Sequence, residues 1–318
     1  EFEKVTQKGI IEEKNYLDEY ITLLTELAQK DLAGLDFSDI NIVVDPSNGP
    51  AALIVGKVLD NLNIKYEELN FELDGNFPGH DPNPLKGEET KQAGEKILAT
   101  KANLACIFDA DADRAIFVDE KGRPITTDHI MAALSADYIK QYPGSKILYD
   151  CVSSHIVKEA VEKLGGTAIL NRTGSAFMCL KMQEENMIFG GETSGHYFYQ
   201  DLDYYDHGIY TMIRVLRIIA EAKKPLSEIV KEYKTFYDTN QINIEVEDAS
   251  IGMQKVKEAF KEYNCWTEDG VLVELEDGHK TWFIARPSNT EPLIRTRFES
   301  KNEEAMNKIK EKVLQLLQ

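Results

Sequence analysis

Apolar runs of strand length alternate with helix-spaced segments along this chain, and that alternation limits the folds open to it. INIVVD (40–45) reads as a buried strand, AALIVGKVLDNL (51–62) as a helix and IKYEEL (64–69) as a strand. A helical pattern precedes them from Lys14 to about Ala33, with Leu17, Tyr20, Ile21, Leu24 and Leu27 at helix spacing. After them FELDGNFPGHDPNPL (71–85), rich in Pro and Gly, belongs on the surface. A helix from about Glu88 to Thr100 then leads into a strand from Asn103 to Phe108. Such alternation indicates a mostly parallel sheet covered by helices on both faces.

A second unit of the same style starts near Gly122. It reads as a helix (127–142), the strand KILYD, a helix over SSHIVKEAVEKLG, the strand TAIL, a helix from about Ser175 to Glu185, the strands MIFG and HYFY, and a helix from about Asp206 to Ala222. Pro225 to Asn240 reads as a linker, and the remainder as strand, helix, three strands and a last helix from Asn302 to Leu317. With 318 residues, one core is too few. The expected architecture is two successive α/β/α mixed-sheet domains, 1–121 and 122–238, followed by a small α+β domain over 239–318.

The formal charge of −19 argues against nucleic acid and anionic membrane as partners, since both would repel the chain. Any anionic ligand must then be held by a local group of Arg, Lys and backbone N–H. The four cysteines are far apart with no CxxC pair, which fits reduced thiols in a cytoplasmic protein. No run reaches membrane-span length, and EFEKVTQKGI is no signal peptide.

Three stretches stand out chemically. FDADADRAIFVDE (108–120) places Asp109, Asp111 and Asp113 at alternate positions after a strand, with Arg114 beside them. Crowded carboxylates repel unless a cation compensates, and hard oxygen ligands favour Mg²⁺ or Ca²⁺. An EF-hand is ruled out because Arg114 stands where that loop needs Gly, and both flanks read as strands. On spacing alone, a metal site and a solvated acidic turn are level. RPSNTEPLIRTR (286–297) offers Arg286 and Arg295 as fork-shaped donors around Ser288, Asn289 and Thr290, a mixture suited to phosphate or to an ordinary polar turn. FGGETSGHYFY (189–199) sets Glu192 and Ser194 among glycines, able to bond vicinal sugar hydroxyls or merely to close a hairpin, with His196 a structural or functional imidazole.

In this order and spacing, DADADR, GETSGH and RPSNTEP resemble the α-D-phosphohexomutase superfamily, most closely its phosphomannomutase/phosphoglucomutase branch. VVDPSNGPA, FPGHDPNPLKGEE and NRTGSAFMCLK are similar to the same family, so the resemblance covers essentially the whole chain. It implies Asp109, Asp111 and Asp113 as Mg²⁺ ligands, although Ala110 replaces the family's usual glycine, and Arg114 as an active-site cation. It also implies Glu192 and Ser194 as contacts to a phosphorylated hexose, with His196 close to the reacting end. Arg286, Ser288, Asn289, Thr290 and Arg295 would hold the phosphate, and Lys181 would lie near the substrate. Hexose 1,6-bisphosphate is the implied intermediate and activator.

The family's mechanism needs a phosphoserine in a Thr-Ala-Ser-His-Asn-Pro-like motif, and these residues include none. The nearest imitation is VSSHIV (152–157), where Ser153 or Ser154 reads as a helix N-cap. The chain is therefore expected to be domains two to four of a four-domain enzyme, its partner the absent serine-bearing domain, and to be inactive alone. Open alternatives are a natural serine-less homologue that only binds sugar phosphates, and a phosphoglucosamine mutase.

Overall fold

The computed structural model describes residues 9–83, 87–288 and 291–317. Its first module comprises α1 (Leu17–Asp31), β1 (Asn41–Asp45), α2 (Val55–Asn61), β2 (Lys65–Glu68), α3 (Glu88–Thr100), β3 (Leu104–Phe108), β4 (Ala115–Asp119) and β5 (Pro124–Ile125). The sheet order is β2-β1-β3-β4-β5, with β1 parallel to β2 and β3 and the last two strands antiparallel. β3 and β4 are buried at every position, the pattern of strands covered on both faces.

The second module follows with α4 (Thr127–Gln141), β6 (Lys146–Asp150), α5 (His155–Lys163), β7 (Thr167–Asn171), α6 (Ser175–Glu185), β8 (Phe189–Gly191), β9 (Tyr197–Tyr199), α7 (Gly208–Ala222) and α8 (Leu226–Lys231). Its sheet order is β7-β6-β8-β9, parallel except for the β8–β9 hairpin. One apolar cluster runs without a break from α1 through β1, β3 and α4 to α7 and α8, so the first two modules share a core.

The third module holds β10 (Tyr237–Asp238), β11 (Ile242–Glu245), α9 (Ala249–Ala259), β12 (Cys265–Trp266), β13 (Val271–Glu274), β14 (Trp282–Pro287), β15 (Leu293–Ser300) and α10 (Glu303–Leu317). Its sheet runs β10-β15-β14-β13-β12, with β11 also pairing β15. It has its own core, and a small cluster of Cys151, Leu272, Trp282 and Ile284 joins it to the second module.

Mixed α/β sheets are as the alternation requires, but three details differ from the sequence reading. Residues 225–240 are not a free linker: α8 buries Leu226 and Val230, Ser227 donates to Glu120 at 2.5 Å, and β10 pairs with β15. Among the described residues four strands, not three, lie between α9 and α10. The first sheet extends past residue 121, because Phe117 and Val118 pair with Ile125 and Pro124.

Two consequences of this topology position the site. The loop 109–114 leaves the carboxyl end of β3 beside that of β1, where Asp45 pairs in register with Ile107. The loops after β6, β7 and β8 leave the second sheet along one edge, since Tyr149 is in register with both Leu170 and Gly191. Carboxyl edges of parallel strands are where open α/β sheets gather ligands. No helix among the described residues is long and apolar enough to cross a membrane.

Candidate active site

The aspartate loop curls tightly after β3: the Ala112 amide donates to Asp109 O at 3.2 Å, and Ala112 itself has a left-handed φ of 63°. The curl brings one carboxylate oxygen each from Asp109, Asp111 and Asp113 within 4.8 Å of one another. Asp109 is buried, Asp113 half-buried and Asp111 exposed. Asp113 Oδ1 is buried with no hydrogen-bond partner among the described residues. Three converging hard donors and an orphaned carboxylate oxygen fit a divalent cation such as Mg²⁺. Gly49 supports the loop from β1's side, for a Cβ there would lie 2.5 Å from the carbonyl oxygen of Ala110.

Arg114 supplies the local cation. Its Nε donates to Asp109 Oδ2 at 2.5 Å, its amide to Asp109 Oδ1 at 3.1 Å, and its Nη1 to Asn83 Oδ1 at 3.3 Å. Even so, burial, reinforced by the neighbouring Asp113 carboxylate, pushes the Asp109 carboxyl up to about 6. Asp113 moves the opposite way, held below its ordinary value first by its contact with His196.

His196 joins this loop to the next one. The 192–196 turn closes with the Gly195 amide donating to Glu192 O at 3.0 Å and the Glu192 amide to His196 O at 2.9 Å, which places Gly195 at φ +95°. Arg114 and His196 form an isolated antiparallel bridge, and the Ala115 amide donates to Gly195 O at 3.1 Å. The two loops are thus stitched together through their backbones. His196 Nε2 lies 3.4 Å from Asp113 and 3.9 Å from Asp206, while Nδ1 lies 3.4 Å from Glu192. Burial opposes the charged imidazole, but the carboxylates of Asp113 and Glu192 outweigh it and raise His196 to about 10. As an imidazolium it donates from Nδ1 to Ser194 Oγ at 2.7 Å.

Glu192 is 2% exposed, and its Oε1 accepts the Gly174 amide at 2.6 Å. On the third module, Arg286 of β14 and Arg295 of β15 are directly opposite in register. Like charges so placed repel unless an anion lies between or beside them. Arg286 is held by Asp269 at 3.0 Å and Arg295 weakly by Glu291 at 3.5 Å, and each has a buried Nε without a partner among the described residues. The Ser288 amide donates to Leu293 O at 2.9 Å, closing the loop on one side, whereas Asn289 and Thr290 lie outside the described residues. A cavity of about 560 Å³ opens between the three modules, walled in part by Thr90, Ile116, Thr193 and Arg295.

Lys181 is not brought to this cluster. It points from α6 into a surface pair with Glu185 at 2.6 Å, which also takes Lys146. The structure adds residues that pattern reading passed over. Asp206, from the acidic run before α7, closes a second group of ligand atoms with Asp113 and His196. Arg172 stacks 3.9 Å over Phe177 with its Nε buried and unpartnered among the described residues. Asp150 is buried at the end of β6 and pushed up to about 7 by burial and by Glu192, with Ser153 and Thr193 bonded to it. Asp150 ends β6 and Arg172 directly follows the last residue of β7, both at the carboxyl edge, a positional signal available once the strands are placed.

Three family models for phosphoglucomutase/phosphomannomutase match: α/β/α domain II at residues 18–122, α/β/α domain III at 126–236 and the C-terminal domain at 242–316. A phosphomannomutase of Methanocaldococcus jannaschii is 33% identical over 95% of this chain and 67% of its own length. A phosphoglucomutase/phosphomannomutase family protein of Burkholderia thailandensis superposes with a TM-score of 0.84 at 27% identity, covering 96% of this chain and 65% of that one. The N-acetylphosphoglucosamine mutase of Aspergillus fumigatus, solved with GlcNAc-6P and magnesium, shares the fold at a TM-score of 0.71 and 14% identity, over 93% of this chain and 64% of that one. The chain spans about two thirds of the length of these proteins.

Proposed function

Because the chain belongs to the phosphoglucomutase/phosphomannomutase family, we propose that it carries the metal, sugar and phosphate sites of a phosphohexomutase. The reaction is the interconversion of hexose 1-phosphate and hexose 6-phosphate, of mannose or glucose, through a phosphoserine and a hexose 1,6-bisphosphate. The observation that carries this reading is the bridge from Arg114 to His196, which fixes an acidic loop and a sugar-type loop side by side.

Asp109, Asp111 and Asp113 would hold Mg²⁺, which supplies positive charge to the phosphoryl oxygens during transfer. The chain's own residues do the rest. Arg114 and the His196 imidazolium add fixed positive charge beside the acidic loop, where a dianionic phosphate would otherwise be repelled by a strongly acidic protein. Glu192 and Ser194 orient the hexose by accepting from its hydroxyls, and the Gly174 amide keeps the Glu192 carboxylate in place. Arg286, Arg295 and the 288–290 loop receive the phosphate that is not reacting, and the same cationic surface must accept either end of the bisphosphate after it turns round.

The phosphoserine itself is expected outside these residues. Ser154 caps α5, accepting the Ile156 amide at 3.1 Å and donating to Glu299, and Ser153 is bonded to Asp150; both are buried. The chain alone should then bind Mg²⁺ and, weakly, sugar phosphate without mutase turnover. A coupled assay with glucose 1-phosphate and mannose 1-phosphate tests this, with an added serine-bearing domain expected to restore turnover. Normal turnover by residues 1–318 alone would overturn the assignment of the nucleophile.

A further inference from the structure

The phosphate-side arginine and the sugar-side glutamate belong to different modules, yet a single turn connects them. Asp269, in the turn between β12 and β13, grips Arg286 Nη2 with both oxygens, at 3.0 and 3.2 Å. Its Oδ2 also accepts the Thr173 amide at 3.1 Å from the loop after β7. The next amide, Gly174 N, donates to Glu192 Oε1 at 2.6 Å. Two consecutive backbone donors therefore face two carboxylates, one from the third module and one from the sugar loop.

Glycines make both ends of this link sterically specific. Gly174 has φ +127°, a conformation that side chains disfavour, and there its amide turns toward Glu192. At Gly270, φ is +107° and a Cβ would meet Ala285 O at 2.5 Å and Arg286 Cβ at 2.7 Å. Only a residue without a side chain lets the turn lie directly on Arg286 and present Asp269 to it. The Asp269 side chain is 15% exposed and that of Arg286 14%, so solvent screens their pairing little.

We propose that Asp269 is a positioning residue that sets the Arg286 guanidinium and, through the Thr173 and Gly174 amides, couples it to Glu192. This rests on the reading of the cleft as a sugar-phosphate site. In that reading Arg286 and Glu192 grip opposite ends of one ligand, so a rigid link between them fixes the distance the ligand must span. A carboxylate that only stabilised the contact between modules would leave the two grips independent. With the link intact, seating a phosphate on Arg286 tightens Glu192, and a hexose on Glu192 tightens Arg286, by the same factor.

Two measurements on the whole chain test it. In the ligand-free protein, Asp269→Asn is expected to speed hydrogen exchange at the Gly174 amide by about tenfold or more, with α4 and α7 unchanged. Gly174 bonds to Glu192 and not to Asp269, so its unaltered exchange would overturn the coupling. Titration with glucose 1,6-bisphosphate then compares wild type, Asp269→Asn, Glu192→Gln and the double variant. The expected pattern is about tenfold weaker binding for Asp269→Asn, and a double variant no more than about twofold weaker than the worse single one. Losses that multiply, or an Asp269→Asn affinity equal to wild type, would refute the proposal. Asp269→Glu retains the charge and should recover binding to within about threefold, which keeps the test open should the Asn variant fold poorly. A wild-type chain that binds no bisphosphate would instead strike at the sugar-phosphate reading, while the Gly174 exchange decides the link by itself.

Discussion

The acidic loop makes a quantitative prediction about pH and metal binding. In the metal-free protein Asp109 holds a proton up to about pH 6, because burial and the neighbouring Asp113 disfavour a second negative charge. A divalent cation binds the ionised form, so below pH 6 each ion bound must expel that proton. The ionised fraction is about 0.9 at pH 7 and about 0.09 at pH 5, so Mg²⁺ affinity should fall roughly tenfold, or about 1.4 kcal/mol, over that interval. His196, held near 10 by its carboxylate partners, stays charged throughout and adds no slope of its own. Stability has the matching sign. A carboxyl whose folded-state value is raised favours the folded state below its ordinary 3.8 and loses that contribution as pH rises through about 6. Mg²⁺ should therefore raise the melting temperature more at pH 7 than at pH 5.

Calorimetric titration with Mg²⁺ at pH 5, 6 and 7, in paired buffers of different ionisation heat, measures affinity and proton release together. About 0.9 proton per ion should be released at pH 5, about 0.5 at pH 6 and about 0.1 at pH 7. Asp109→Asn should bind more weakly and lose the slope. Equal affinities at pH 5 and pH 7 with no proton released would mean that the Asp109 proton is not displaced, and that the three carboxylates do not act as one site.

Two further outcomes follow from contacts around the cleft. Glu299 of β15 accepts from Trp282 Nε1 at 2.6 Å and from the His155 amide at 2.9 Å, and burial raises it to about 7. Its contribution is present below the ordinary 4.5 and lost as pH climbs through about 7, which accounts for a melting drop of roughly 2–4 °C between pH 6 and pH 8, and Glu299→Gln should reduce the slope by that amount, leaving the share of Asp150, which is raised to about 7 as well. Gly49→Ala should force the Ala110 carbonyl away and weaken Mg²⁺ binding about tenfold while circular dichroism stays unchanged, and undiminished affinity would show that the loop can shift at no cost.

What could be read from the chain and what could not divides along sequence distance. The end of α6, at 175–185, follows from local chemistry: an apolar stripe, then Asn186, a side chain that accepts left-handed φ, whereas Lys101 closes α3 in the same conformation with no such local signal. The aspartate trio was legible for the same reason, since three potential ligands within five residues need no tertiary information to be noticed. Residues 225–240 misled because their polar composition is that of a linker, while the contacts that order them are remote. Ser227 reaches Glu120, 107 positions away, and Leu226 and Val230 enter a core assembled by other elements. Lys181 drew attention by its place in a resembling stretch, but helix geometry puts it one turn from Glu185, and that pair satisfies it at the surface. Asp269 had no local mark at all. It stands in an Asp-Gly turn of the commonest kind, and its partners lie 96 positions away at Thr173 and 17 away at Arg286. Candidate ligand-bearing side chains were therefore legible wherever a short loop carries them, whereas the groups that hold those side chains in place, such as Asp269 for Arg286 and Gly174 for Glu192, lie elsewhere in the sequence and become visible only once the chain has folded.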